Sequence, residues 1–196
     1  MNTSEIREIL KSKTVGIAGC GGLGSNCAVA LARVGLGKLI LVDYDVIDPS
    51  NLNRQYFFLD QVGMYKVEAL RENILRIDPQ VEIETYIKKL TPPDILLIFK
   101  ECDVIVEAFD KAEEKEMIIE TVLDEMKGHK IVSGVGMAGW GKSDLIHVRH
   151  EKDLRICGDE ISEVSGDLPV LGPRVGIVAN LQANEVLDIL LTGKEK

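Results

Sequence analysis

Short apolar runs alternate along the chain with longer amphipathic stretches. Residues 14–18, 38–42, 82–86, 104–108, 131–135 and 144–149 read as strands, and 23–34, 66–76, 94–99, 112–126 and 175–191 as helices. In the last helix Ile177, Val178, Leu181, Val186, Leu187 and Leu190 keep helical spacing, and Gly193 is placed to end it. That spacing predicts a core helix. Strand and helix taken in turn predict an α/β fold, a doubly wound, mostly parallel sheet with helices on both faces. The longest stretch without a predicted element is 151–173, rich in acidic and glycine residues. A loop of that length in a compact domain is usually functional or mobile.

Composition narrows the picture. A chain of 196 residues with 45% hydrophobic content supports one substantial core and is short for two ordinary domains, so residues 1–196 are expected to form a single domain. The formal charge of −9 argues against a general nucleic-acid surface or an anionic-membrane surface. No apolar run approaches the ~20 residues that cross a bilayer. The start M-N-T-S-E-I-R-E-I-L is charged and amphipathic, unlike a signal peptide. A cytoplasmic protein with no membrane partner is expected. Cys20, Cys27, Cys102 and Cys157 form no C-x-x-C pair, so reduced thiols and no structural zinc are expected. His129, His147 and His150 assemble with no recognisable hydrolase signature.

The chemistry concentrates first at V-G-I-A-G-C-G-G-L-G-S, residues 15–25, where an apolar strand runs into a glycine turn that opens a helix. Gly19 and Gly21 allow the backbone to turn and to approach a ligand, and Gly24 allows the helix to pack close to the strand. The helix N-terminus attracts phosphate. Asp43 lies 24 residues after Gly19 at a strand end, placed to accept hydrogen bonds from ribose hydroxyls, with Asp45 as the neighbouring alternative.

Further along come L-V-D-Y-D at 41–45, S-N-L-N-R-Q at 50–55, Lys66 after Gly63, and E-A-F-D ending at Asp110. In this order and spacing the set resembles the ThiF/MoeB/HesA family, the bacterial relatives of ubiquitin-activating enzymes, over nearly the whole chain. The resemblance is closest to compact ThiF-like sulfur carrier protein adenylyltransferases of thiamine biosynthesis. It implies a Rossmann-like fold. It also implies an ATP and Mg²⁺ site built from the glycine loop (Gly19, Gly21, Gly22, Gly24), Asp43, Asn51, Arg54, Gln55, Lys66 and Asp110. That site adenylates the C-terminal glycine of a small ubiquitin-like sulfur carrier ending in Gly-Gly. Asn51 and Gln55 are then expected to flank Arg54 and to contact phosphate or the arginine itself. The resemblance further implies a homodimer in which an N-terminal arginine reaches the partner's site. Arg7 is the only arginine before the glycine loop.

The residue types suit that reaction. When a carboxylate oxygen attacks the α-phosphate of ATP and pyrophosphate leaves, positioning and charge neutralisation matter more than a protein nucleophile. Arg54 offers a planar fork to phosphate oxygens and Lys66 a mobile point charge. Asp110, at the carboxyl end of an apolar strand, is a natural oxygen ligand for Mg²⁺.

Some relatives use a cysteine in a crossover loop to form a covalent adduct with the carrier, and Cys157 in R-I-C-G-D-E lies in the corresponding region. Asp159 and Glu160 raise a thiol pKa there and Arg155 lowers it. The alternative for Cys157 is a buried, unreactive thiol. Trp140, among glycines, is expected to pack over the sheet, with a place along the substrate groove as the alternative. The chain also departs from relatives that carry two C-x-x-C pairs or an added rhodanese domain, so its sulfur would come from elsewhere. Three other functions share the glycine loop: an NAD(P)-dependent oxidoreductase, which leaves the 51–55 motif without a purpose, a noncatalytic nucleotide-binding partner protein, and a tRNA-modifying ATP-dependent dehydratase, which the acidic balance disfavours.

Overall fold

The computed structural model describes residues 1–192; the expected helix stop at Gly193 lies outside the described residues. In chain order the elements are α1 (Thr3–Leu10), β1 (Thr14–Ala18), α2 (Gly22–Arg33), β2 (Lys38–Asp43), α3 (Lys66–Leu75), β3 (Glu82–Ile87) and α4 (Pro92–Ile98). There follow β4 (Val104–Glu107), α5 (Ala112–Glu125), β5 (Lys130–Gly134), β6 (His147–His150), β7 (Leu154–Gly158) and α6 (Gly172–Thr192).

The strands form one sheet in the order β3-β2-β1-β4-β5-β7-β6, parallel throughout except for the antiparallel β6–β7 pair at one edge. The chain moves outward from β1 to β3 and then resumes on the other side of β1 with β4. The reversal opens a crevice at the carboxyl ends of β1 and β4, where ligands of such sheets bind. The architecture is the expected Rossmann-like, doubly wound α/β fold.

Period-two burial explains the two faces. Leu39, Leu41, Val104 and Val106 join the apolar cluster under α2, α3 and α6, whereas Ile40, Val42 and Ile105 join the one under α4 and α5 with Ile95, Phe99, Ile118 and Val122. Helix α6 is long and apolar enough on average to cross a bilayer. Its apolar side lies inside the protein instead. Val175, Val178, Ala179, Ala183, Val186 and Leu190 are buried against α2 and the sheet; of the positions picked by spacing, Val178, Val186 and Leu190 are buried, Leu181 and Leu187 are half-buried, and Ile177 faces outward.

Three segments differ from the sequence expectation. The charged start is a helix, because Asn2 Oδ1 accepts the Ser4 and Glu5 N–H groups at 3.0 Å and Glu5 returns a bond to the Asn2 N–H at 2.8 Å. The stretch 151–173 is not one long loop. It contains β7, which pairs with β5 and β6 on its two sides, so the loop shrinks to 159–171. The strand expected over 144–149 starts late, because Lys142 is left-handed (φ 47°) and Ser143–Leu145 form a 3-10 turn.

Candidate active site

The turn from β1 to α2 is built around two glycines. Gly19 has φ +92°, and a Cβ there would stand 2.8 Å from the Ala108 carbonyl oxygen; a Cβ on Gly24 would stand 1.8 Å from the Gly19 carbonyl oxygen. No other residue fits at either place. Gly21 caps α2 without a side-chain acceptor, so the opening N–H groups of the helix face the crevice as an anion site.

The end of β2 fastens this turn. Each oxygen of the buried Asp43 carboxylate accepts a backbone N–H, from Cys20 at 2.6 Å and from Asp45 at 2.8 Å. A second lone pair on each oxygen remains for a ribose hydroxyl. Burial pushes the Asp43 carboxyl above its usual range, against the nearby Lys66 charge and the two N–H bonds. Asp45 is half exposed and its carboxylate holds Lys66 Nζ at 2.7 Å.

The segment 49–55 wraps back over the start of α2. The Arg54 Cγ and Cδ lie 3.6 and 3.8 Å from where a Gly22 Cβ would be, and Gln55 Nε2 lies 3.7 Å from the corresponding point on Gly21. Arg54 Nη1 donates to the Ser50 carbonyl at 3.0 Å and to Asn53 Oδ1 at 2.8 Å. Gln55 Oε1 is buried with no protein partner among the described residues. Asn51 contacts the arginine through its backbone. Its side chain accepts the Asp48 N–H at 3.1 Å and caps the local turn, while its carbonyl accepts the Arg54 and Gln55 N–H groups.

Two residues that sequence reasoning passed over hold this segment. Asn26 Nδ2 donates to the Gly22 carbonyl at 2.7 Å and to the Arg54 carbonyl at 3.0 Å, and the buried Ser25 Oγ accepts the Tyr56 N–H at 3.0 Å. A polar Ser-Asn pair inside an otherwise apolar helix was the available signal.

On the other side of the turn, Phe109 packs against Gly19 and the exposed Asp110 follows it. Lys111 Nζ donates to Tyr44 Oη at 3.1 Å and lies over the ring, joining the ends of β2 and β4. Below Asp110, the fully buried Glu107 accepts from Lys115 at 2.6 Å, from Ser133 Oγ at 2.5 Å and from the Phe109 N–H at 2.8 Å. This fixes the backbone that presents Asp110. No group of three or more His, Cys, Asp or Glu suited to a metal occurs among the described residues. A single exposed carboxylate fits Mg²⁺, which is usually held by one or two carboxylates with substrate phosphates and water.

Comparison with known proteins gives this arrangement a family. Residues 3–196 match the ThiF family. The chain belongs to the ThiF family. It is 32% identical over 190 residues to the adenylyltransferase and sulfurtransferase UBA4 of Eremothecium gossypii, covering 92% of this chain and 42% of that protein. Over 94 residues it is 45% identical to the ubiquitin-like modifier-activating enzyme 5 of Drosophila willistoni, covering 48% of this chain and 23% of the relative. The chain thus spans less than half the length of these relatives. Among solved structures, the E. coli tRNA N6-threonylcarbamoyladenosine dehydratase TcdA in complex with ATP superposes with a TM-score of 0.87 at 19% identity, covering 96% of this chain and 90% of that one. E. coli MccB with ATP superposes at 0.72 and 24% identity, covering 97% and 59%. At those identities the likeness speaks for the fold.

Against the other expectations for this ThiF-family chain, Cys157 and Trp140 sit differently. Cys157 is not in a crossover loop. It is fully buried in β7, where burial pushes its thiol up to about 12, Glu185 adds to the rise and Arg155 opposes it. At that position the thiol is closed off from solvent. Trp140 does not pack over the sheet; it is 66% exposed on a loop between left-handed Gly139 and Gly141. That loop and the 159–171 loop are laced together. Gly139 N–H donates to the Pro169 carbonyl at 2.8 Å, and Ala138 N–H donates to Ser162 Oγ at 3.2 Å. Arg174 and Asp159 form a buried ion pair behind them.

Proposed function

We propose that this chain is an ATP-dependent adenylyltransferase that activates the C-terminal glycine carboxylate of a small ubiquitin-like sulfur carrier ending in Gly-Gly. The observation that carries the reading is Arg54 lying along Gly22 at the uncapped N-terminus of α2, with Lys66 stored at Asp45 beside the same turn. Two cations at an anion-binding helix end suit a triphosphate undergoing displacement, in which charge gathers on the α-phosphate and the leaving group, whereas hydride transfer builds up no such charge.

In the reaction a carboxylate oxygen of the carrier bonds to the α-phosphorus as the bond from that phosphorus to the bridging oxygen breaks, and pyrophosphate leaves. The glycine turn binds phosphate oxygens, Asp43 orients the ribose, and Arg54 and Lys66 neutralise charge gathering on the α-phosphate and the leaving group. Asp110 would hold Mg²⁺, which supplies further neutralisation when bound. Resemblance to compact ThiF-like proteins supports thiamine thiazole synthesis as the pathway, with a homodimer of single adenylation domains as the working unit. Four buried, unpaired cysteines suit a reducing cytoplasm.

The test is ATP–pyrophosphate exchange in the presence of Mg²⁺, with and without a Gly-Gly-ended sulfur carrier protein from the same genome. Carrier-dependent exchange supports the reading and names the partner. ATP binding without exchange moves the assignment to another acceptor, and NADH binding without ATP binding overturns it.

A further inference from the structure

Arg174 is an unusual residue to find where it is. It stands in the first turn of α6 with only 4% of its surface exposed, paired with Asp159, itself 5% exposed. Its Nη1 donates to the Gly141 carbonyl at 2.5 Å and reaches toward that of Lys142 at 3.4 Å. Asp159 Oδ1 accepts the N–H groups of Ile161 at 3.0 Å and Ser162 at 2.8 Å. One guanidinium therefore ties the loop that carries Trp140 to the start of the 159–171 loop. The sequence-adjacent Val175 presses its Cγ1 to within 3.0 Å of where a Gly22 Cβ would be, and a Cβ on Gly172 would stand 2.6 Å from the Asn53 carbonyl oxygen. The same helical turn thus touches the phosphate turn and the Arg54 loop.

Topology says what these loops face. The crevice runs along the carboxyl ends of the strands, with the nucleoside end at Asp43 on β2 and the phosphates at α2. The reversed strand order leaves the β5–β7 side for the second substrate. We infer that Arg174, fixed by Asp159, is a positioning residue for the carboxylate substrate: it holds the Trp140 loop and the 159–171 loop as one rim in register with the phosphate turn. The inference rests on the adenylation reading above. The Arg174 guanidinium is spent on Asp159 and on the carbonyls of Gly141 and Lys142. Its work is geometric, because only a planar fork reaches a carboxylate and a carbonyl in fixed directions at once.

Arg174→Lys keeps the charge beside Asp159 and loses the fork. In carrier-dependent exchange the variant is expected to raise KM for the carrier by about tenfold, leaving kcat and the KM for ATP within about twofold. Trp140 is the only tryptophan in the chain, so its fluorescence anisotropy reads the loop directly in the protein alone. The anisotropy should fall in the variant. A milder change, Ser162→Ala, removes one lacing bond and should move both readouts in the same sense, which keeps the test alive if Arg174→Lys does not fold. Wild-type protein without carrier-dependent exchange sinks the adenylation reading, and the anisotropy still judges the rim. Working wild type with an unchanged carrier KM in the variants, a KM for ATP that moves in step, or unchanged anisotropy overturns the positioning role.

Discussion

Lys66 is held twice by Asp45: its Nζ donates to the carboxylate at 2.7 Å and its backbone N–H donates to the carbonyl at 3.0 Å. The cation is 6% exposed and its charge acts on Cys20 and Asp43 in the phosphate turn. Triphosphate oxygens offer a competing set of anions, and the half-exposed Asp45 carboxylate can turn to water when they arrive. Lys66→Ala should lower carrier-dependent exchange at least about tenfold, comparable to losing ~1.4 kcal/mol of transition-state stabilisation. Exchange at the wild-type rate would remove Lys66 from the site.

The Arg54 side chain differs from that of Lys66 in bonding only its own loop, through Ser50 and Asn53. Arg54→Ala should therefore cut exchange by at least about tenfold while changing unfolding free energy by less than about 1 kcal/mol. Denaturant unfolding beside the exchange assay separates the two effects. A large stability loss with proportional activity loss would make Arg54 a structural residue.

Asp110 lies exposed three residues past the end of β4, on backbone that Glu107 has fixed. Asp110→Ala should shift the Mg²⁺ dependence of exchange to higher concentration and lower its ceiling, with the wild-type fold retained. An unmoved Mg²⁺ titration would place the metal elsewhere.

Much of the fold was legible because the central strands are apolar runs buried on both faces, which burial alone explains for β1, β2, β4 and β5. β7 was hidden for the converse reason. L-R-I-C-G is short, carries a charge and sits among acidic residues, and only β5 and β6 on its flanks make it a strand. At the site, the residues gathered around the phosphate turn could be read from local motifs. Their supports could not. Asn26 meets Arg54 across 28 residues and Arg174 meets Gly141 across 33, so a buried polar side chain looks like any other until its distant partner is known.

The thiols offer a direct check on Cys157. All four cysteines are buried and none is bridged. Native protein at pH 8 should react with a thiol reagent only at the rate of unfolding, and denatured protein should expose four thiols at once. Cys157→Ala should keep carrier-dependent exchange. A fast native thiol that vanishes in that variant would restore Cys157 as a nucleophile.

Acid should reveal the buried ion pair. Burial alone would raise the Asp159 carboxyl, but the Ser162 and Ile161 N–H groups and the Arg174 charge outweigh it and hold it below the usual carboxylate range. A depressed folded pKa gives stability that is complete above the unfolded value of about 3.9 and is lost as pH falls through the folded one. Asp159→Asn, leaving Arg174 buried and unpaired, should cost about 3–5 kcal/mol near neutrality. Its melting temperature should fall less steeply than the wild type's below about pH 4. Parallel curves would exclude Asp159 as the acid-sensitive group.

The strand that ends just before Asp159 enters the sheet in an inverted order. β6 comes first in the chain yet takes the outer edge, and β7 fills the slot between it and β5. The same strand therefore closes the sheet against β6 and leads the chain into the Asp159 turn. On the adenylation reading, a chain whose hairpin failed to dock would keep its phosphate turn and lose the rim assigned to the acceptor.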